Sequence, residues 1–524
     1  MTRAKCGCTG FPVVLRFLFS GLIGAQVALL ALPHSIRAQA IDQAASPREA
    51  TDLAAAESTI GTARYRQPIA IAVTSDDRWA LVANRRTGSV SVLDLRENRV
   101  TAEFDVGKTL SDLVLLPGEN LAVATDESAH ELVVLQVAFG ELSGRVTVQQ
   151  RLAVNAYPVS VVVSGDGRRA FVASLWSRRL AIVDLPRDGI PARVAHTIDL
   201  PFAPRKQLLV RDDTRLLVAD SFAGKMAIVD AQSGAISGTR TIPAHNIRGL
   251  AASPDGSMLL IAHQMLNDFA HSDRNDVHWG LLMSNDLRWV RMDAFLEGAQ
   301  NLFDGGHMHP LGHAGSATGD PSGVAIDRDG RVLVALGGVG EVATGKENDF
   351  SLERLRVGKR PTAVAFLKEA GKAVVVNTFA DSVSRLDLLR YEVMPEIRLG
   401  PAATLSLVDR GEQVFYDAKL SHDGWMSCHS CHSDGHSNGQ LNDNVSDGSF
   451  GASKRVLSAM GLEGTSPFAW NGGTPDLTNQ IRNSVTRTMQ NDEGPTSDEA
   501  TSLLAFLRSL PPPPAVDRAR GEVN

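Results

Sequence analysis

Between residues 60 and 395 the chain alternates short apolar runs with polar turns in a pattern that repeats. Each unit has a proline or polar entry, four to six alternating apolar residues, a turn holding Asp or Gly, a β-rich run, a polar turn and a closing apolar strand. The clearest copy runs from Pro68 to Asn84 (PIAIAVTSDDRWALVAN) and closes through Ser89–Leu95 (SVSVLDL). Other copies begin near Leu110, Pro158, Arg205, Ile247, Pro321 and Pro361. Turn signals recur at one point of the unit: SGDG at 164–167, SPDG at 253–256 and DRDG at 327–330. A period-two apolar pattern bounded by such turns predicts strands paired as hairpins.

Seven copies of a four-stranded unit predict a seven-bladed β-propeller over 60–398, because one such sheet cannot bury both faces without neighbours. The repeats resemble the YVTN family of propellers, with Val82-Ala-Asn84 and Val375-Val-Asn377 standing where that family carries its asparagine. Propellers serve as binding discs, lactonases, dehydrogenases and cofactor cradles, so the fold leaves the function open. One unit is stretched by an insertion at about 264–320 that holds His271, His278, Trp279, His307, His309 and His313. Insertions on a rigid scaffold are frequent functional sites. Two readings apply: solvated or hydrogen-bonded surface histidines, or a metal or distal haem ligand drawn from His307, His309 and His313.

The pattern changes at both ends. Arg3, Lys5 and Arg16 lead into an apolar run from Phe17 to Pro33 that ends at Ala38-Gln39-Ala40, the layout of a secretory signal peptide over 1–40. Cleavage there predicts a periplasmic protein with no membrane span, and removes Cys6 and Cys8. The mature chain then has only Cys428 and Cys431. A net charge of -7 offers no basic stripe, which argues against a nucleic-acid partner.

After residue 405 the periodicity becomes helical, as in SDEATSLLAFL at 497–507, and a small α-helical cytochrome c domain is expected over 405–512, followed by a tail at 513–524. Its signature is Cys428-His-Ser-Cys-His432. In C-x-x-C-H the two thiols add to the haem vinyl groups and the histidine binds iron from the proximal face. A zinc site would need two further ligands, with only His429 and His436 nearby, and a thioredoxin-type pair would need a βαβ setting. One covalent haem c on Cys428, Cys431 and His432 is the cofactor assignment.

The run from Arg410 to His432 (RGEQVFYDAKLSHDGWMSCHSCH) resembles the first haem domain of bacterial di-haem cytochrome c peroxidases and their relatives that mature methylamine dehydrogenase. PFAWNG at 467–472 is similar to that family's P-x-F-W-D-G, and the stretch from Leu477 to Met489 to its L-E-E-Q…E-M. The resemblance implies that Trp470 matches the electron-passing tryptophan and Gln480 a distal-pocket glutamine. It also exposes departures: Thr488 replaces the acid before the methionine, Gly473 replaces an arginine, and a second C-x-x-C-H is absent from the sequence. Met460 and Met489 are candidate sixth iron ligands, with a histidine of the insertion as a third source.

Two functions fit these features. One is a periplasmic haem-c-dependent oxidoreductase whose propeller binds a redox partner or small-molecule substrate. The other is a non-catalytic propeller binding protein carrying a cytochrome c electron-transfer domain.

Overall fold

The computed structural model describes residues 58–522. The segment 1–40, read from the sequence as a signal peptide, lies outside the described residues. Seven four-stranded antiparallel sheets follow one another as blades one to seven, over 68–105, 110–153, 158–199, 204–241, 245–310, 321–356 and 361–398. The seventh carries a short extra strand at its edge. The starts of the innermost strands fall within two residues of the repeat starts read from the sequence.

Burial explains the ring. The second strand of each blade is nearly all apolar and shielded on both faces, as in Trp79–Asn84 and Lys372–Asn377. Apolar clusters fill every junction between neighbouring blades. The last joins Ala80, Val82 and Leu93 of blade one to Val374 and Val383 of blade seven. Closure is reinforced by Asp381 of blade seven, whose carboxylate accepts the backbone N–H groups of Arg66 and Gln67 at 2.9 and 2.8 Å. The two asparagines marked by the sequence have matching roles. Asn84 donates to Ser89 and Ser91, and Asn377 to Ser382 and Ser384, at 2.9–3.0 Å.

The stretched unit differs from the single insertion expected at 264–320. Residues Met283–Arg291 are the regular third strand of blade five, and His307–Pro310 its fourth. The added chain is therefore divided between separate connections. One, 267–282, joins the second strand to the third and carries α1 (Arg274–His278). Another carries α2 (Met292–Glu297) between the third strand and the fourth.

The C-terminal region forms α3 (Leu407–Phe415), the short α4 (Cys428–Cys431), α5 (Leu477–Asn483), α6 (Ser497–Ser509) and α7 (Val516–Arg520). Helices α3 and α6 begin with full capping boxes, Ser406 with Asp409 and Thr496 with Glu499, which fix where each starts. Phe415, Leu477, Ile481, Leu503, Phe506 and Leu507 make its core. No described helix is long and apolar enough to cross a membrane.

This helical domain sits on the propeller face formed by the inner-strand entries and the turns between second and third strands. Ala418 donates its N–H to Gly338 O at 2.9 Å, and its Cβ comes so close that a Cβ on Gly319 or Gly338 would lie 2.4 or 2.7 Å from it. Only glycine permits that approach. The 267–282 loop completes the seat, its Ala270, Val277 and Leu282 sharing a core with Met283 of the third strand and with Leu420, Trp425, Met426, Val485 and Met489.

Candidate functional site

The C-x-x-C-H segment is held from below by the propeller. Ser427 and Ser430 both donate their hydroxyls to the buried carboxylate of Asp320, at 2.5 and 2.7 Å. His245 hydrogen-bonds through Nε2 to Ser430 O at 2.9 Å, and Gln264 donates to Ser430 Oγ at 3.1 Å. Just beyond, Asp434 accepts from Arg205 and from Arg248, the latter at 3.0 Å. Burial alone would raise the Asp434 carboxyl, but the two guanidiniums outweigh it and hold it well below its usual range.

These contacts turn Cys428, Cys431 and His432 toward a cavity of about 360 Å³. Its apolar wall includes Phe415, Leu477, Ile481, Leu503 and Leu507, drawn from α3, α5 and α6. His432 donates Nδ1–H to Leu457 O at 2.8 Å, which fixes the tautomer and leaves Nε2 as a free donor to a metal. Burial foremost, with neighbouring acidic and thiol groups, pushes both Cys428 and Cys431 up to about 12. Neutral thiols are thus favoured at both positions, the opposite of what a redox-active pair needs.

The residues fit haem c: two cysteines and a tautomer-fixed histidine on one wall, an apolar slot, and the cation Arg455 among its lining. Arg455 suits a carboxylate that haem carries, whereas Lys454 is already paired with Asp447 at 3.0 Å and Asp443 at 3.4 Å.

The other residues marked in the sequence divide. Trp470 lines the cavity and is 51% exposed. Gln480 and Thr488 also line it, and Gln480 donates to Ser484 Oγ at 3.2 Å. Met489 lines it and is buried, whereas Met460 lies outside the lining and packs near Gly435. Gly473 stands beside Asn471, whose side chain accepts its N–H at 3.0 Å. His309 lies on the outer strand of blade five, bonded to Trp289 Nε1 and Asp349 O, and His307 stacks on Trp289. His313 bridges to Ser316 in a turn. None of these three lines the cavity. His429 is buried under Tyr416, and His436 packs against Trp176 and Phe222.

Sequence reasoning missed the propeller residues Asp320, His245, Arg205 and Arg248, since each lies more than 100 residues from its partner. It also missed the π-helical turn Ser484–Thr488, which directs Ser484, Thr488 and Met489 to the cavity. π-turns concentrate at functional sites, and single-sequence periodicity does not reveal them.

Residues 406–511 match the family model for di-haem cytochrome c peroxidase. The peroxidase-like domain therefore spans α3 to α6 and contains the whole cavity wall named above. Among solved structures, hydrazine synthase of Kuenenia stuttgartiensis is similar at 17% identity and a TM-score of 0.53, over 63% of this chain and 97% of that one. The β-propeller domain of Cps50 (Swd1) from Myceliophteria thermophila is similar at 13% identity and a TM-score of 0.45, over 62% and 98%. The first likeness is one of fold. No curated protein matches the sequence. A cytochrome c peroxidase-like domain over residues 406–511, carried on a propeller, supports a haem-dependent electron-transfer or oxidoreductase family.

Proposed function

We propose that this chain is an exported redox protein carrying one covalent haem c on Cys428, Cys431 and His432, with the propeller as the platform that fixes the haem domain. The observation that carries the reading is the cavity bounded on one side by these three residues and at its exposed edge by Trp470. When bound, haem c supplies one-electron chemistry at a potential set by its axial ligands and surroundings. The protein's own contributions are positional. His432 is held by Leu457, the apolar wall excludes water, and Trp470 offers an aromatic edge to an electron partner arriving from solvent. The seating of the haem domain on the inner-strand face favours a partner that docks near Trp470.

A catalytic reading and a carrier reading both remain consistent with that site, and Met489 supports the second. Its buried side chain lines the cavity on the π-turn side, where a thioether could close the sixth iron position. The resting ferric spectrum separates them: high spin indicates an open position and an enzyme, and low spin lost in Met489→Ala indicates a carrier. Haem staining on denaturing gels with a pyridine haemochrome assay tests the attachment. One haem per chain is expected, and haem surviving denaturation in a Cys428→Ala, Cys431→Ala double variant would overturn it.

A further inference from the structure

Helix α1 of blade five ends at His278, and the haem-domain segment 421–424 comes against it. His278 Nδ1 lies 2.7 Å from Asp423 Oδ2 and 3.2 Å from His422 Nε2. His422 Nε2 is in turn 3.5 Å from the same carboxylate oxygen. A tetrahedral zinc-class ion, with bonds of roughly 2.0–2.1 Å, spaces its ligand atoms about 3.3 Å apart. The observed triangle is of that size. A proton on His278 Nδ1 satisfies its contact with Asp423 but leaves His422 Nε2 facing another ring nitrogen and a distant oxygen. A single cation would satisfy all three.

We propose that His278, His422 and Asp423 form a site for a divalent transition ion of the zinc class, which ties the propeller insertion to the haem domain and keeps a fourth position for water. Two imidazoles and one carboxylate suit zinc, whereas calcium and magnesium take oxygen ligands in greater number. Each ligand is itself held. Gly315 donates its N–H to Asp423 Oδ2 at 3.0 Å, Trp425 donates Nε1–H to His278 O at 3.1 Å, and the His422 N–H is bonded to Met489 O at 2.9 Å. Such outer contacts orient metal ligands. The nearby cation Arg274 is paired with Asp492 at 2.6 Å. A Cβ on Gly280 would lie 2.5 Å from the Trp425 ring, so the loop is built to reach this close.

A second cluster, His271 with Asp273 and Asp276, differs in offering one imidazole where the proposed site offers two, and its His271 Nε2 faces Asp443 at 3.4 Å. Asp273 caps Asp276 N at 2.9 Å, and Asp276 accepts from His271 N at 2.8 Å. The bond from His422 to Met489 O gives the proposed site a further consequence, because it anchors the segment that walls the haem cavity.

The test uses the full-length haem-loaded protein, stripped with EDTA, returned to chelator-free buffer and titrated with zinc chloride by calorimetry and elemental analysis. One zinc per chain is expected. His278→Gln and His422→Gln should each weaken binding by more than about tenfold, while His271→Gln should not. Calcium chloride should give no binding. Zinc K-edge absorption on the wild-type protein provides a reading independent of any variant, with two imidazoles and one carboxylate expected. Failure of the wild type to take up zinc, unchanged affinity in His278→Gln and His422→Gln, or a zinc shell with sulfur or a single imidazole would each overturn the proposal.

Discussion

Asp320, on the strand entry of blade six, accepts the hydroxyl of Ser430, one of the two residues between the cysteines, at 2.7 Å. The haem-attachment turn is thus part of a hydrogen-bond network whose other half belongs to the propeller. Replacing Asp320 with Ala removes a buried carboxyl acceptor from Ser427 and Ser430 and leaves both hydroxyls without that partner. A loss of about 2–4 kcal/mol is expected, because buried polar groups left unpaired cost their full desolvation. Denaturant unfolding followed by haem absorbance and by tryptophan fluorescence measures it. An unchanged midpoint would show that the network adds nothing.

Acid should weaken the same junction. His245 is lowered from 6.5 to about 4 by burial, and His263 to about 3 by burial and by Arg288, whose Nε–H points at His263 Nε2 at 3.1 Å. His245 Nδ1 has no partner, so a second proton there finds no acceptor. Both histidines stay neutral in the folded chain and gain protons near 6.5 when it unfolds. The unfolded state therefore binds more protons below that pH, and stability falls as pH drops from about 6.5 toward 4. His245 alone would contribute roughly 3 kcal/mol across its window. His245→Gln can keep the bond to Ser430 O without titrating, and should flatten the slope of unfolding free energy against pH.

Peroxide should be turned over slowly. Among the described residues that line the cavity there is no Asp or Glu, and Thr488 and Gln480 belong to its polar lining. A hydroxyl and an amide hydrogen-bond but do not exchange a proton near neutral pH, and general acid–base help is worth about 10² to 10⁴ in rate. Stopped-flow mixing of the ferric protein with hydrogen peroxide measures the rate of spectral change. Thr488→Glu is expected to raise that rate by at least about tenfold, and no gain would show that the side chain at 488 does not reach the bound oxidant.

Proteolysis probes the seat of the haem domain. The connection at 399–404 is the expected cutting site, since the β-repeat ends there. Arg205 and Arg248 on Asp434, Arg86 on Asp409 at 3.0 Å and the Asp320 network should keep the two halves of a nicked chain together on gel filtration. Asp434→Ala removes the carboxylate shared by the half-buried guanidiniums of Arg205 and Arg248 and should release the haem-bearing fragment. Co-elution of the fragments in that variant would mean that apolar contacts suffice.

The sequence alone determined the parts that rest on local pattern. Period-two apolar runs with Asp and Gly turns gave seven blades, because inter-blade burial demands the same pattern in each. C-x-x-C-H and its flanks marked the haem domain because thioether attachment and proximal ligation both work through one short turn. The asparagines Asn84 and Asn377 were visible as motif residues, and the structure adds their serine partners one strand away. Tertiary structure decided what lies between distant segments. Met489 reaches the cavity and Met460 does not, because a π-turn rotates the former inward. Of the two readings open for His309, the hydrogen-bonded one holds, with Trp289 and Asp349 fixing it at the blade edge. Residues separated by more than a hundred positions bring Asp320 to Ser430 and His278 to Asp423, and no single-chain periodicity encodes such pairs. They form where the closed ring fixes a surface and the helical domain buries its charges and hydroxyls against it.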